Sequence, residues 1–226
     1  MHKFSCQNLR SRTVRFDFGA PVSAFSKFRF ISLGSLAAVL GCNNGIEAPA
    51  IDAATAARAA LMACDKDGDG NISPVELDAL PGLKAAQASV DANQDRSISE
   101  DELAARLKKF GDDRIGLLPY RCQVRMNGQP LAGAQVRLVP ESFLGESVKP
   151  AIGETDESGL AGLSVADAPG GARGVQPGMY RVEISKKDGA GKELIPDKYN
   201  SKSVLGQEVS LQLTASEQEI MFQLSR

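Results

Sequence analysis

Six oxygen-bearing side chains fall in regular order between Asp65 and Glu76, a stretch that reads D-K-D-G-D-G-N-I-S-P-V-E. Asp65, Asp67 and Asp69 hold its first, third and fifth positions, and Asn71, Ser73 and Glu76 its seventh, ninth and twelfth. Spacing by two along a tight loop aims successive side chains at one centre. Gly70, at the sixth position, stands where the chain must turn sharply. At Asn71 only a backbone carbonyl is needed. Ser73 can act directly or through a water, and Glu76 can offer both oxygens from the first turn of a helix. Such a donor set suits a hard, doubly charged cation that takes many oxygens. Ile72, at the eighth position, points away from that centre, towards a partner loop.

The partner is Asp91 to Glu102, D-A-N-Q-D-R-S-I-S-E-D-E, which starts 26 residues after the first. Asp91, Asn93 and Asp95 take the first, third and fifth positions, and Ser97, Ser99 and Glu102 the seventh, ninth and twelfth. Ile98 again takes the eighth. Asp, Asn, Gly and Ser also build ordinary turns, so the second stretch alone reads equally as turn or site. The pair, with Ile and Glu in matching places, points to a site. Both stretches resemble the twelve-residue EF-hand loop, which implies Ca2+ as the ion and the twelve residues just named as its ligands. The second departs from the pattern at Arg96, where Gly is usual. A residue with a Cβ costs roughly 1 kcal/mol at a position needing positive φ. This loop also has three ligand carboxylates where the first has four, so weaker binding is expected there.

Helices must hold the loops. Ile51 to Ala63 is Ala-rich and predicts a helix leading into the first loop. Pro74 suits the first turn of the next helix, with Leu77 and Leu80 on one side and Pro81-Gly82 as its end. Leu83 to Val90 leads into the second loop. Leu103, Leu107 and Phe110 follow at helical spacing, so Glu100 to Phe110 is expected as an amphipathic helix. These apolar residues read as core, or as a groove that opens on binding, as in sensors. Met is scarce in the unit, with only Met62, which favours core.

From Leu117 the chain alternates in the manner of strands. Arg121–Met126, Ala134–Val139, Leu160–Val165, Tyr180–Ser185, Val209–Leu213 and Ile220–Leu224 are the expected strands, with Asn127-Gly128 a turn. The stretches G-Q-P-L-A-G-A-Q-V-R-L-V-P-E (128–141), G-E-T-D-E-S-G-L-A (153–161) and P-G-M-Y-R-V-E-I (177–184) resemble the carboxypeptidase regulatory-like, or transthyretin-like, β-sandwich. Thr155-Asp156-x-x-Gly159 is then a turn between strands. The resemblance implies a folding aid, spacer or binding unit, with no catalytic residues to carry over. The expected fold class is α+β: a small helical EF-hand pair at 50–113, then an all-β sandwich at 118–226.

Ahead of both lies a leader, residues 1–41. Its basic part carries Lys3, Arg10, Arg12, Arg15, Lys27 and Arg29 against Asp17 alone, and Phe30–Leu40 is an uncharged, mostly apolar run of 11 residues. A bilayer needs about 20, so this reads as an export signal. Val39-Leu40-Gly41-Cys42 resembles the bacterial lipobox, although Val and Leu stand where Leu and a smaller residue are usual. It implies lipidation of Cys42, a tether at 42–49, and a protein on the outer membrane or cell surface. A soluble secretory signal cut nearby, giving a periplasmic or secreted protein, and a buried core helix are the alternatives.

The whole chain of 226 residues carries a net charge of −2. With the basic leader set aside, the body is acidic and shows no basic stripe, which argues against nucleic acid. The single His is His2. Without another, triads, Cys–His pairs and His-ligated zinc are excluded from the body, and no enzyme is expected. Cys64 and Cys122 read as a disulfide or as two buried thiols. The expected role is a calcium-binding, membrane-tethered envelope protein acting as a structural or interaction element. A calcium sensor, or a binding module for an envelope protein or a carbohydrate in which the loops only stabilise, are the alternatives. Trp is absent and only three Tyr are present, which weighs against a sugar platform.

Overall fold

A computed structural model describes residues 46–166, 168–211 and 219–226. The leader, Cys42 and the start of the tether lie outside the described residues, as does the end of the strand expected at Val209–Leu213.

Helix α1 (Ala53–Cys64) begins at Asp52, whose side chain accepts from the Thr55 N–H at 3.1 Å and the Thr55 hydroxyl at 2.8 Å. It buries Ala56, Ala57, Ala60 and Cys64 along one stripe. A two-residue strand β1 (Asn71–Ile72) and a 3₁₀ turn (Glu76–Ala79) follow. The full helix expected after the first loop does not form, and Pro81 opens an element where it was expected to close one. Leu80, before proline, is held out of the helical region at φ −125°, ψ 74°. Pro81 then starts α2 (Pro81–Ala85), where its missing N–H is harmless. Next come α3 (Gln87–Val90), β2 (Ile98–Ser99) and α4 (Glu100–Asp112). β1 and β2 pair antiparallel, Asn71 with Ser99 and Ile72 with Ile98. Both isoleucines are fully buried, as their matching positions predict.

The rest is β3 (Tyr120–Met126), β4 (Gln129–Pro130), β5 (Gln135–Pro140), β6 (Ala151–Glu154), β7 (Leu160–Val165), β8 (Gly178–Ser185), β9 (Gly206–Val209) and β10 (Glu219–Leu224). Among the described residues these strands form one mixed but mainly antiparallel sheet in the order β10-β3-β7-β6-β5-β8-β9, with β4 paired to β3 and only β10 parallel to its neighbour. The sheet curls because β7 divides its pairing. Leu160–Leu163 pair with β3, and Ser164–Val165 with β6. At the bend a Cβ on Gly153 would lie 2.5 Å from the Gly162 carbonyl oxygen. The result is a curled half-barrel compatible with a sandwich. Asn127 and Gly128, at φ 51° and 80°, make the predicted turn. The Asp156 carboxylate accepts from the Ser158 and Leu160 N–H groups at 2.8 and 3.0 Å and closes the turn ending at Gly159.

The described residues form one compact unit. Leu77, Leu83, Leu103, Leu107 and Phe110 from the helices join Val124, Val136, Leu138, Tyr180, Val182 and Ile184 from the sheet in a continuous core. α2 lies backbone-to-backbone on the sheet edge: a Cβ on Gly206 would meet the Pro81 carbonyl oxygen at 1.7 Å. Buried Glu141 accepts from the Gly82 N–H at 2.6 Å. Burial pushes its carboxyl up, while that N–H and the Arg181 charge pull the other way. Cys64 and Cys122 are both buried free thiols, not a disulfide. Burial pushes both thiols up, that of Cys122 to about 12, which disfavours the thiolate. No helix among the described residues is long and apolar enough to cross a membrane.

Candidate metal centre

The first loop is gathered by its own backbone. Asp65 accepts from the Gly68 N–H at 2.7 Å and the Gly70 N–H at 3.0 Å. Asp67 accepts from the Asp69 N–H at 3.3 Å, and Asp69 from the Asn71 N–H at 2.7 Å. Glu76 closes the loop from both ends. One oxygen accepts from the Lys66 N–H at 2.6 Å, and the other from the Ser73 N–H and hydroxyl, each at 2.8 Å. The Lys66 N–H foremost, then the Ser73 donors, hold the Glu76 carboxyl down at about 2.

The second loop repeats this pattern. Asp91 accepts from the Arg96 N–H at 2.8 Å, Asn93 from the Asp95 N–H at 2.8 Å, and Asp95 from the Ser97 N–H at 2.8 Å. Glu102 accepts from the Ala92 N–H at 3.1 Å on one oxygen, and from the Ser99 N–H at 3.0 Å and hydroxyl at 2.8 Å on the other. Burial raises the Glu102 carboxyl, but the Ser99, Asn93 and Ala92 donors outweigh it and leave it lowered. Ser99 and Glu102 also form the capping box of α4. That accounts for their bond to each other. It does not account for a glutamate reaching back ten residues to grip the start of its own loop.

Backbone conformation matches too. Gly68 and Gly70 have φ of 76° and 84°, and Gln94 and Arg96, at the same positions, 63° and 73°. Arg96 therefore carries the positive φ that its position predicts. The strain exists in the folded chain itself. Arg96→Gly is expected to raise stability by about 1 kcal/mol, read as a shift of the urea midpoint. An unchanged midpoint would mean the second loop does not hold this conformation in solution.

Asp65, Asp67 and Glu76 bring one carboxylate oxygen each within 4.8 Å of one another. Asp69 is not in this cluster. Among the described residues no second group of three or more acidic, His or Cys side chains is so gathered. In the second loop Asn93 stands where Asp67 does in the first, and its Nδ2 donates to Asp95 at 2.9 Å. All donors are oxygens, with no thiol or imidazole, so the set fits a hard cation and is wrong for zinc. Cys42 lies outside the described residues.

Compared with protein families, curated proteins and solved structures, the chain matches none. The loops are therefore read on their own geometry. What sequence reasoning missed is their support. Glu141, Arg106 and Glu208 are buried charged residues that tie the helices to the sheet. Arg106 carried a signal, since it lies in the Leu103, Leu107, Phe110 stripe, where a charge needs a buried partner. Glu208 carried none, because its partner is 102 residues away.

Both closing glutamates are depressed, so their contribution to stability without metal is fully present above the ordinary carboxyl value of 4.5. It declines as pH falls below that value, towards about 2 for Glu76. In chelator, Tm is expected to drop over this range, and Glu76→Gln to flatten the drop. A variant with the same acid profile as the parent would contradict this.

Proposed function

We propose that this chain is a calcium-binding protein of the bacterial envelope, tethered by lipid on Cys42, in which two EF-hand loops brace a β-sandwich module in a structural or interaction role. The observation that carries the reading is the repeated grip of a twelfth-position glutamate on both ends of its loop, joined in the first loop by the gathered oxygens of Asp65 and Asp67. Asp65, Asp67, Asp69, Asn71, Ser73 and Glu76 would hold one ion, and Asp91, Asn93, Asp95, Ser97, Ser99 and Glu102 a second. Bound calcium neutralises clustered carboxylates. Extracellular modules of this kind bind at around 10⁻⁴ to 10⁻³ M, so an external site would stay filled. The scarcity of Met in the helical unit, where Met62 stands alone, supports a structural role over a sensor.

Calcium titration by calorimetry, with Tm followed in parallel, tests this. Binding at millimolar calcium or tighter with a rise in Tm is expected. No heat and no shift at that concentration would end the reading. The tether is tested separately by mass spectrometry of the membrane fraction, in which Cys42→Ala should abolish acylation.

A further inference from the structure

We infer that Glu208, on strand β9 of the sheet, is a positioning residue for the second calcium loop, holding the two helices that flank it at a fixed separation. This rests on the calcium reading above and concerns the regulation of that same site.

Ser89 lies in α3, two residues before Asp91, the first position of the second loop. Arg106 lies in α4, one helical turn after Glu102, the last position. Glu208 binds both. Its Oε2 accepts from the Ser89 hydroxyl at 2.7 Å, and its Oε1 from Arg106 Nε at 2.7 Å. Arg106 Nη2 makes an ion pair with the same Oε1 at 2.5 Å and donates to Ser210 at 3.2 Å. The Arg106 guanidinium also sits 5.6 Å from the centre of the Phe110 ring. Arg106, Glu208 and Ser210 are all 5% exposed or less, and charge-assisted bonds in such surroundings are strong and geometrically fixed. One carboxylate thus spends each oxygen on a different flank of the loop.

The first loop has no equivalent. Among the described residues, no side chain of the sheet bonds both of its flanks; Glu141 reaches only the Gly82 N–H. The loop that receives the brace is the one with Arg96 in a positive-φ position and one fewer carboxylate. Holding its ends in place lowers the ordering required on binding. By linkage, an ion in this loop must tighten the β9 edge by the same factor.

The test is a calcium titration of the purified protein, following the Gly70 and Arg96 amide resonances by NMR as separate reporters of the two loops. Glu208→Gln weakens both holds, and Ser89→Ala removes the α3 hold together with that hydroxyl's local bond to the Ala86 carbonyl at 2.8 Å, leaving the ion pair intact. The second-loop dissociation constant is expected to rise about tenfold in Glu208→Gln and about threefold in Ser89→Ala, with the first-loop constant unchanged. If the parent binds at both loops and neither variant moves the second constant, the inference falls and the calcium reading stands. Equal weakening at both loops also overturns it, as general loosening. A parent that binds only at the first loop overturns it too, and a parent that binds at neither removes both readings. Should Glu208→Gln fail to fold, Ser89→Ala decides alone by the same criterion.

Discussion

Glu76→Gln is expected to weaken calcium binding at the first loop by more than about 100-fold while leaving the fold in place. Partners outside the inner coordination sphere of a metal typically cost about 10- to 100-fold when lost, and a ligand able to offer two charged oxygens should exceed that. Glutamine removes the negative charge and turns one oxygen into a donor, so only one acceptor is left for the loop. That acceptor can keep either the Lys66 N–H or the Ser73 donors, but not both as now, at 2.6 and 2.8 Å. The loop therefore loses its closure from one end as well as its charge. Folding should survive, because Ile72, among the ligands, and Leu77, just after them, remain buried in the core. Calorimetry should show the heat of the first site lost and that of the second retained. A variant binding within threefold of the parent would show that Glu76 is a cap and nothing more.

Gly206→Ala should destabilise the protein by about 3 kcal/mol or more, the upper range for inserting a group into a filled space. The added Cβ would lie 1.7 Å from the Pro81 carbonyl oxygen, 2.1 Å from its carbon and 2.7 Å from the Gly82 nitrogen. All three are backbone atoms, so no side chain can swing aside. α2 must lift from β9 and β8, which would also pull Gly82 off Glu141 and leave that buried carboxyl without its N–H donor. Gly162→Ala is the control. Nothing lies within 4 Å of its Cβ, and a change within about 0.5 kcal/mol is expected. Urea midpoints of the two variants give the comparison. Equal midpoints would mean that the helices and the sheet do not pack in this way in solution.

Much of the local structure could be read from residue types. α1 falls within an Ala-rich stretch, offset by two residues at its start and one at its end from the expected Ile51–Ala63, α4 covers the expected Glu100–Phe110, and both loops carry the positive φ expected at their sixth position. Strand β7 spans Leu160–Val165, as its alternation indicates. The failures are short-range elements shaped by distant contacts. In the sequence Pro81 reads as a stop, yet the docking of α2 on β9 makes it the start of a helix. Strand β6, A-I-G-E, is too short and too weakly alternating to register as a strand. It exists because β5 and β7 pair with it on either side.

Oxygen donors spaced along a dozen consecutive residues need no distant partner to converge, because backbone N–H groups of the same loop hold them. For that reason the linear chain by itself determined the candidate ligands and the matching isoleucines. How the helices meet the sheet was decided only in three dimensions. The curl made by β7, the backbone contact at Gly206 and the Arg106–Glu208 bridge each join residues far apart in the chain. Burial makes such contacts specific, since a charge or a missing Cβ has meaning there only through what faces it, and no local pattern records that neighbour.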